Sequence, residues 1–307
     1  MIPDWETNCV LVADLLTSRH PAVAQELKGI LTTQGVALKE VRDCQDIWIR
    51  DAAPVQASTD DFVQFRYWPD YLRGSHEHLV TGPSTFCGLP FLKKVKRSRL
   101  IIDGGNIVGT TRTAILTEKV FAENPQRNRS EVEIELRRLL QVERLIFIPK
   151  EPYDAIGHSD GMVRFIDEET VVLNDYSGIY PGLSDRLTSS LKRHGLQVAL
   201  LPYQPEQQKT DGIDSAAGNY VNFLRVGSVF IVPSYGTPAD AEGILRLQRL
   251  CPQAVVTSIP SLHLAREGGV LQCVTWTIRV PENVRTTSAR RPSLGRPKKS
   301  DKRPRRL

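Results

Sequence analysis

Short apolar runs recur along this chain in pairs, each pair joined by a brief polar or glycine-containing turn. Paired β-branched runs around a short turn are the pattern of a β-hairpin. Clear examples are "GHSDGMVRFI" with "TVVLND", "NYVNFLRV" with "VFIVP", and "DGGNIVGT" with "TRTAILTE". The pattern therefore predicts several hairpins spread over the length of the chain.

Helical periodicity follows three of these hairpins. The segment "RSEVEIELRRLL" predicts a helix whose apolar face is formed by Val132, Ile134, Leu136, Leu139 and Leu140. The segment "LSDRLTSSLKRHG" predicts a helix with Ser184 as its N-cap and Gly195 as its stop. "TPADAEGILRLQRL" predicts a third helix, with Pro238 in its first turn. Each helix leads into another apolar run: "RLIFIPK", "QVALLPY" and "AVVTSIP".

The repeated unit is thus strand, strand, helix, strand, used about five times. A unit of this size buries its apolar face only against its neighbours. Five copies around an axis predict an α/β ring with ββαβ repeats, in which the polar stretches meet near the centre of one end. One polar residue from each stretch shows the spacing: Asp51, Asn106, Asp160, Asn222 and Cys273. The alternative is an open α/β sheet that leaves these residues scattered.

Composition is that of a globular protein, with 40% hydrophobic and 24% charged residues among 307. No apolar run approaches the roughly 20 residues that span a bilayer. Asp4 and Glu6 stand where a secretory signal carries basic residues, so we expect the cytoplasm. The cysteines are odd in number and lack CxxC spacing, which indicates neither a disulfide framework nor a structural zinc site. They are Cys9, Cys44, Cys87, Cys251 and Cys273.

Charge divides the chain into two regions. Residues 285–307 contain ten Lys or Arg and one acid, so the charge of this segment is +9. Because the net charge of the whole chain is +5, the remaining residues carry −4. We predict a folded domain over 1–284 and a disordered basic tail over 285–307, because the tail has almost nothing apolar to bury. Such a tail contacts nucleic acid only non-specifically. The acidic body suits a cationic substrate.

The polar stretches carry residues that together indicate one chemistry. A cysteine attacks as its thiolate, which a histidine or a cationic substrate can favour. His158 can protonate a leaving group and then activate water. Two aspartates, Asp51 and Asp160, can bind a planar guanidinium, and Trp48 can cover its plane. With Cys273, this set suits nucleophilic attack on a guanidinium carbon.

Each of these residues also has an ordinary structural interpretation. A single buried cysteine is most often inert packing, and an aspartate in a turn is common. On a predicted strand, His158 and Asp160 share one face by their spacing, whereas Arg50 points away from Asp51 and is expected to be structural. Signatures of rival enzymes are missing: the sequence has no G-x-S-x-G, P-loop or H-E-x-x-H, and no cysteine-protease context surrounds Cys273.

Five ordered motifs resemble a known family. "WIRDAAP", "DGGNI", "YDAIGHSDGMVRF", "GNYVNFLRVGSVFIVPSYG" and "EGGVLQCVTW" resemble the agmatine deiminase and bacterial-type peptidylarginine deiminase family, over about residues 40–280. This family belongs to the pentein group of guanidino-modifying enzymes. The resemblance implies a five-bladed pentein α/β propeller with pseudo-fivefold ββαβ repeats. It also implies that neither a cofactor nor a metal is needed.

The same resemblance implies roles for particular residues. The nucleophile is Cys273, the general acid and base is His158, and the guanidinium-binding carboxylates are Asp51 and Asp160. Substrate contacts are implied for Trp48, Asn222, Asp103 and Asn106.

The implied reaction is hydrolysis of a C–N bond in a linear amidine through a covalent cysteine intermediate, with release of ammonia. Agmatine, giving N-carbamoylputrescine, is the leading substrate. Alternatives are an arginine side chain in a peptide or protein, transfer of the amidino group to an amine, and a catalytically silent propeller that acts as a binding module. The sequence leaves the oligomeric state open, a homo-oligomer included.

The sequence departs from the agmatine deiminase pattern near the nucleophile and after Asp51. Glu267, Val270 and Gln272 replace the usual Gly, Asn and His, and Ala52 and Ala53 replace Thr and Gly. The hydrolytic set is intact, so these departures affect the choice of substrate.

Overall fold

The computed structural model describes residues 1–281, and the predicted tail lies outside the described residues. The strands, in chain order, are β1 (Cys9–Ala13), β2 (Ala37–Val41), β3 (Val55–Gln56), β4 (Asp61–Arg66), β5 (Lys94–Ile101), β6 (Val108–Gly109), β7 (Thr113–Thr117), β8 (Arg144–Ile148), β9 (Val163–Phe165), β10 (Thr170–Asn174), β11 (Gln197–Leu201), β12 (Lys209–Thr210), β13 (Ile213–Asp214), β14 (Leu224–Val226), β15 (Val229–Ser234), β16 (Val255–Pro260) and β17 (Trp276–Ile278).

Helices lie between many of these strands. They are α1 (Asp14–Arg19), α2 (Pro21–Thr33), α3 (Ile49–Ala52), α4 (Lys119–Glu123), α5 (Arg129–Leu140), α6 (Pro181–Arg193), α7 (Pro238–Leu250) and α8 (Leu262–Ala265). Short 3-10 turns add Asp4–Glu6, Asp70–Leu72, Glu77–Leu79, Pro83–Phe86, Gly104–Asn106 and Ser159–Gly161. The predicted α/β class is therefore confirmed.

Within residues 1–281, five three-stranded sheets share one plan. Their strand orders are β17–β1–β2, β3–β4–β5, β6–β7–β8, β9–β10–β11 and β14–β15–β16. The central strand of each sheet pairs antiparallel with one neighbour and parallel with the other. A separate antiparallel pair joins β12 to β13.

The parallel crossovers carry the helices, as a parallel connection requires. Helices α1 and α2 connect β1 to β2, α5 precedes β8, α6 precedes β11 and α7 precedes β16. The crossover from β4 to β5 differs, because three 3-10 turns occupy it instead of an α-helix. The predicted unit of strand, strand, helix, strand thus describes four of the five sheets.

The first sheet joins segments that are distant in sequence. Cys9 of β1 lies opposite Ile278 of β17 in an antiparallel register and opposite Ala37 of β2 in a parallel one. The strand that follows the predicted nucleophile is therefore held by the strand that begins the described fold.

Helix boundaries and faces agree with the sequence pattern in most places. Helix α5 has a capping box between Asn128 and Glu131, and its predicted apolar face is buried except for Ile134, which is 70% exposed. Helix α6 begins at Pro181, so Ser184 lies inside it and is not its N-cap. That prediction was wrong because Pro at the first helical position moves the start upstream. Gly195, at φ +78°, follows its end.

Buried apolar residues lie between the sheets and their helices. Helix α2 buries Val23, Leu27 and Leu31 at four-residue spacing, which places one stripe against the core. A buried polar contact also crosses the molecule: the Arg164 guanidinium, 1% exposed, donates to the Phe223 carbonyl (2.8 Å) and to Asp4 (2.5 Å). No helix in the described part of the chain is long and apolar enough to cross a membrane.

Candidate active site

Two of the polar motifs adopt tight helical turns where strands were expected. Asp51 lies in α3, and His158 is the residue that precedes the 3-10 turn Ser159–Gly161. The strand geometry used to place His158 and Asp160 on one face was therefore wrong. Both side chains nevertheless line the same cavity, because the chain turns sharply there after Gly157, at φ +69°.

Gly105 brings three catalytic candidates together. Its backbone N–H donates to Asp51 Oδ1 at 2.9 Å. A Cβ placed on Gly105 would lie 2.5 Å from Asp51 Oδ1, 2.8 Å from His158 Nδ1 and 3.1 Å from Asp160 Oδ2. These three atoms therefore surround a single point, and only glycine leaves that point free.

The imidazole of His158 lies between two carboxylates. Its Nε2 is 2.7 Å from Asp103 Oδ2, and its Nδ1 is 3.5 Å from Asp51 Oδ1. Burial alone would lower the pKa of His158, but Asp51 and Asp103 raise it to about 9. The ring is therefore cationic at neutral pH and can donate a proton.

Asp103 does not line the cavity, so the substrate contact implied for it stays a prediction. Its side chain is fully buried, and its Oδ2 lies 3.3 Å from Lys119 Nζ as well as next to His158. Burial would raise the pKa of Asp103, but the hydrogen bond with His158 and the charges of His158 and Lys119 hold it below its usual value. Asp103 therefore orients and charges the imidazole.

Lys119 is a site residue that the sequence analysis missed. Its Nζ is 2.6 Å from Glu123 and 3.2 Å from Asp70, in addition to Asp103, and the side chain is 4% exposed. It lies 5.2 Å from the centre of the Tyr71 ring, which in turn packs against His158 with ring centres 6.1 Å apart. Lys119 stands in the unremarkable segment "TEKVFAEN", and no motif signals a buried ion pair there.

Asn106 is likewise engaged within the protein, and the substrate contact implied for it stays a prediction. Its Oδ1 accepts from the backbone N–H (2.9 Å) and the hydroxyl (2.9 Å) of Thr117 and from the Ser159 N–H (3.3 Å). The side chain is buried and lies off the cavity wall. It ties the glycine loop to the turn that follows His158.

Cys273 lies opposite this acidic group. Its Sγ is 3.3 Å from Asn222 Nδ2 and 3.4 Å from Asn222 Oδ1, and its carbonyl accepts from the Arg50 N–H at 3.2 Å. Burial, Asp160 and Asp51 raise the pKa of the Cys273 thiol well above its usual value. The free site therefore holds a neutral thiol at neutral pH.

The two remaining carboxylates have different surroundings. Burial, with a smaller effect of the neighbouring acids, raises the pKa of Asp51 to about 7. Burial also raises the pKa of Asp160, whose Oδ2 is buried and has no hydrogen-bond partner within residues 1–281. A buried oxygen that lacks a donor is costly, so this atom calls for an N–H or O–H from a ligand.

Trp48 and Arg50 lie on opposite sides of the site. A Cβ on Gly269 would lie 2.6 Å from the Trp48 ring and 3.0 Å from Cys273 Cβ, so Gly269 lets the indole lie beside Cys273. Arg50 is directed away from the cavity and donates to Thr277 Oγ1 at 3.1 Å. It takes the side that was expected, although from a helical turn instead of a strand.

The candidate site contains one cavity of about 750 Å³. Trp48, Asp51, His158, Asp160, Asn222 and Cys273 form part of its wall. Carboxylates outnumber cations there: the acids are Asp46, Asp51, Glu151, Asp154, Asp160, Glu206, Asp211, Asp214 and Glu267, and Arg19 and Lys209 are the Lys and Arg residues. A cationic ligand is therefore favoured. Within residues 1–281, no cluster of His, Cys, Asp and Glu is arranged to hold a metal ion.

Comparison with known proteins identifies the family. Residues 6–278 match the family described as Porphyromonas-type peptidyl-arginine deiminase. Since the match covers most of the chain, this protein belongs to that family, and the resemblance found in the sequence is confirmed.

Individual relatives agree with the assignment. The agmatine deiminases of Pseudomonas fluorescens and Pseudomonas aeruginosa are 27% and 29% identical to this chain. The alignments cover 78% and 75% of this chain and 76% and 73% of the relatives. A substrate-bound agmatine deiminase structure from C. jejuni superposes with a TM-score of 0.75 at 18% identity, over 91% of this chain and 96% of that one.

The shared fold is the mixed α/β fold of pentein structures. The chain is a hydrolase that acts on C–N bonds in linear amidines, and its relatives support deimination of a guanidino group.

Proposed function

We propose that this protein hydrolyses agmatine to N-carbamoylputrescine and ammonia. The observation that carries the proposal is the buried Asp160 Oδ2, which lacks a donor within residues 1–281 and belongs to a residue that lines the same cavity as Cys273 and His158. A guanidinium group supplies N–H donors in a plane, and its charge matches the acidic wall. The relatives named agmatine deiminase favour this substrate.

Binding places the guanidinium between Asp51 and Asp160, with the Trp48 ring beside it. The charge of the substrate favours the ionised forms of both carboxylates, whose pKa values are raised in the free protein. It also favours the Cys273 thiolate, which the same carboxylates disfavour when the site is empty. The thiol proton leaves to solvent as substrate binds.

In the first step, the Cys273 sulfur forms a bond to the guanidinium carbon and gives a neutral tetrahedral adduct. Protonated His158 donates its proton to an NH₂ group of the adduct, the C–N bond breaks, and ammonia departs. An amidinium thioether on Cys273 remains. Because the pKa of His158 is about 9, the imidazole keeps this proton at neutral pH until the leaving NH₂ group accepts it.

In the second step, neutral His158 takes a proton from water, and the oxygen bonds to the same carbon. The new adduct collapses, the C–S bond breaks, and Cys273 leaves as a thiolate. The product leaves with a ureido group, first in its protonated form. The proton that it then loses converts the released ammonia to ammonium. His158 is again protonated, and the cycle consumes one water.

We also propose that the five sheets close into a five-bladed propeller with the cavity at one end of its axis. The shared strand plan of the sheets and the pairing of β1 with β17 support this arrangement. The cytoplasm remains the proposed compartment, because the reaction needs a reduced Cys273.

Arginine side chains in peptides are the second candidate substrate. The family description favours them, and the cavity volume of about 750 Å³ exceeds what a small guanidine occupies. The two candidates differ in what must enter the cavity, since a peptide brings a backbone on both sides of the side chain.

A substrate panel tests the proposal. Purified protein is incubated with agmatine, free arginine and an arginyl peptide in ¹⁸O-labelled water, and ammonia and ureido product are measured. We expect the agmatine product to carry ¹⁸O, which separates hydrolysis from amidino transfer. Cys273→Ala should abolish turnover, and Cys87→Ala, at an exposed cysteine off the cavity, should leave it unchanged. No product from any of the three substrates would reject the hydrolase mechanism.

A further inference from the structure

Glu151 is a cavity carboxylate that the reaction above does not use. Its Oε1 accepts from the Tyr203 hydroxyl at 2.5 Å, and its Oε2 accepts from the Tyr176 hydroxyl at 3.0 Å. Both donors are neutral, so they fix the orientation of the carboxylate without compensating its charge. Glu151 lies just after β8 and lines the cavity together with Tyr203 and Asp214.

Other carboxylates along the outer wall are already engaged. Glu206 is 2.7 Å from Arg266, and Asp214 is 2.9 Å from Lys209. Asp154 accepts the backbone N–H groups of Ile156 and Gly157 at 2.8 Å each, which directs it into its own turn. Glu151 therefore differs from these three neighbours. Two tyrosine hydroxyls hold its carboxylate, and within residues 1–281 it has neither a paired cation nor a backbone N–H donor.

Hydrogen bonds connect Glu151 to the guanidinium-binding end of the cavity. Asn174 Nδ2 lies 3.3 Å from the Tyr176 hydroxyl and donates to the Gly161 carbonyl at 2.8 Å. Gly161 follows Asp160, whose buried Oδ2 lacks a donor within residues 1–281. The two carboxylates are thus fixed in one framework of hydrogen bonds.

We propose that Glu151, held by Tyr176 and Tyr203, binds the distal ammonium group of the substrate while Asp51 and Asp160 bind its guanidinium. This inference rests on the proposed function and specifies the substrate class as guanidines that carry a second cation. It makes Glu151 a specificity-determining residue that contacts substrate but not the reacting atoms. An α-carboxylate in place of a hydrogen, as in free arginine, would meet the same acidic wall and be repelled.

The ionisation of Glu151 is consistent with a missing cation. Burial, with a smaller effect of Asp154 and Asp214, raises the pKa of Glu151 to about 7, although both tyrosine hydroxyls act in the opposite direction. An ammonium group at hydrogen-bond distance favours the ionised form and offsets this cost.

The test compares agmatine with pentylguanidine, in which a methyl group replaces the ammonium group. We expect Glu151→Gln to lower kcat/KM for agmatine by about tenfold or more, mainly through KM, because a charged hydrogen bond is worth about 1.5–3 kcal/mol. The same variant should change kcat/KM for pentylguanidine less than about twofold. Glu143→Gln is the matched control, since Arg112 pairs with that carboxylate at 2.7 Å on the surface away from the cavity, and should spare both substrates. Glu151→Asp, which keeps the charge, should lose less agmatine activity than Glu151→Gln.

Equal losses for the two guanidines would assign Glu151 a structural role and overturn the inference, as would an unchanged KM for agmatine. The proposed function is judged separately, from turnover by the unmodified protein. If that protein turns over neither guanidine, binding of the two compounds to Cys273→Ala is compared by calorimetry. We expect Cys273→Ala to bind agmatine more tightly than pentylguanidine. The double variant with Glu151→Gln should lose this preference. A double variant that retains the preference would overturn the inference.

Discussion

Asp103 Oδ2 lies 2.7 Å from His158 Nε2 and 3.3 Å from Lys119 Nζ. One buried carboxylate oxygen therefore serves two cationic partners. The second partner helps to keep Asp103 ionised, and an ionised Asp103 helps to keep His158 protonated. Lys119 thus influences the candidate general acid, His158, through a carboxylate oxygen that both contact.

Asp103→Asn should weaken the general acid. Without the negative charge of Asp103 next to Nε2, the pKa of His158 should fall from about 9 toward its ordinary value. Burial lowers this pKa, and only Asp51 would then still raise it. We expect kcat to fall roughly tenfold or more, with the alkaline limb of the pH profile displaced to lower pH. Steady-state kinetics from pH 6 to 10 measure this. Asp60→Asn, on the exposed surface, is the control, and an unmoved alkaline limb would contradict the role of Asp103.

The pH dependence of turnover should have an acid limb in kcat/KM and an alkaline limb in kcat. Asp51, with a pKa of about 7, must be ionised to bind the guanidinium, so kcat/KM should fall more steeply as pH drops through about 7, beyond the dependence that comes from loss of the thiol proton on binding. His158, with a pKa of about 9, must be protonated to release ammonia, so kcat, which reports the complex with the thiolate already formed, should fall as pH rises through about 9. The limbs report apparent values for coupled groups. A kcat that rises steadily from pH 7 to 10 would be incompatible with an acidic His158.

Gly105→Ala should remove activity while leaving the fold in place. The new methyl group would lie within 3.1 Å of Asp51, His158 and Asp160 and force them apart. We expect kcat/KM to fall by roughly a hundredfold, as a displacement of catalytic groups by about 1 Å can cause. Gly29→Ala is the matched control: no atom lies within 4 Å of its Cβ, and it lies in α2, where alanine should stabilise by about 1 kcal/mol. Thermal melts measure the stability of both variants, and steady-state kinetics measure their activity. An active Gly105→Ala variant would show that the three side chains are not confined as described.

Asp160→Asn should make Cys273 more acidic even as it impairs turnover. After burial, the charge of Asp160 is the largest influence that raises the pKa of the thiol, so its removal should lower that pKa. We expect faster alkylation of Cys273 by iodoacetamide at pH 8, measured by mass spectrometry of the labelled peptide. The exposed Cys87 provides an internal reference whose labelling rate should stay constant. Slower labelling of Cys273 in the variant would mean that Asp160 assists the thiolate.

The sequence predicted the repeat well because its signal is local. Paired apolar runs and helical periodicity arise within a few residues, and the sheets built from them follow the expected order. The turns that carry the chemistry were harder. Asp51 and Asp160 lie in helical turns, where strand alternation gives the wrong geometry even when the residues are the right ones.

Roles that depend on tertiary contacts could not be predicted from spacing. Asp103 and Asn106 belong to the glycine motif, yet the fold buries both off the cavity wall and gives them neighbours from other segments. Lys119 and Glu151 lie in segments without a motif, and each matters through what the fold brings next to it. The contacts of Lys119 with Asp103 and of Glu151 with Tyr203 have no sequence period, because the two partners lie in separate segments of the chain.

The pairing of β1 with β17 also sets the order in which a newly made chain becomes competent. Asp51, Asp103 and His158 are synthesised long before Cys273, and the segment that carries Cys273 is fixed only when Trp276–Ile278 docks beside Cys9–Ala13. Such a contact joins segments of high sequence separation, which makes its formation slow. On the ribosome, Asp51, Asp103 and His158 can therefore gather before Cys273 is made, and the candidate site is completed only when β17 pairs with β1.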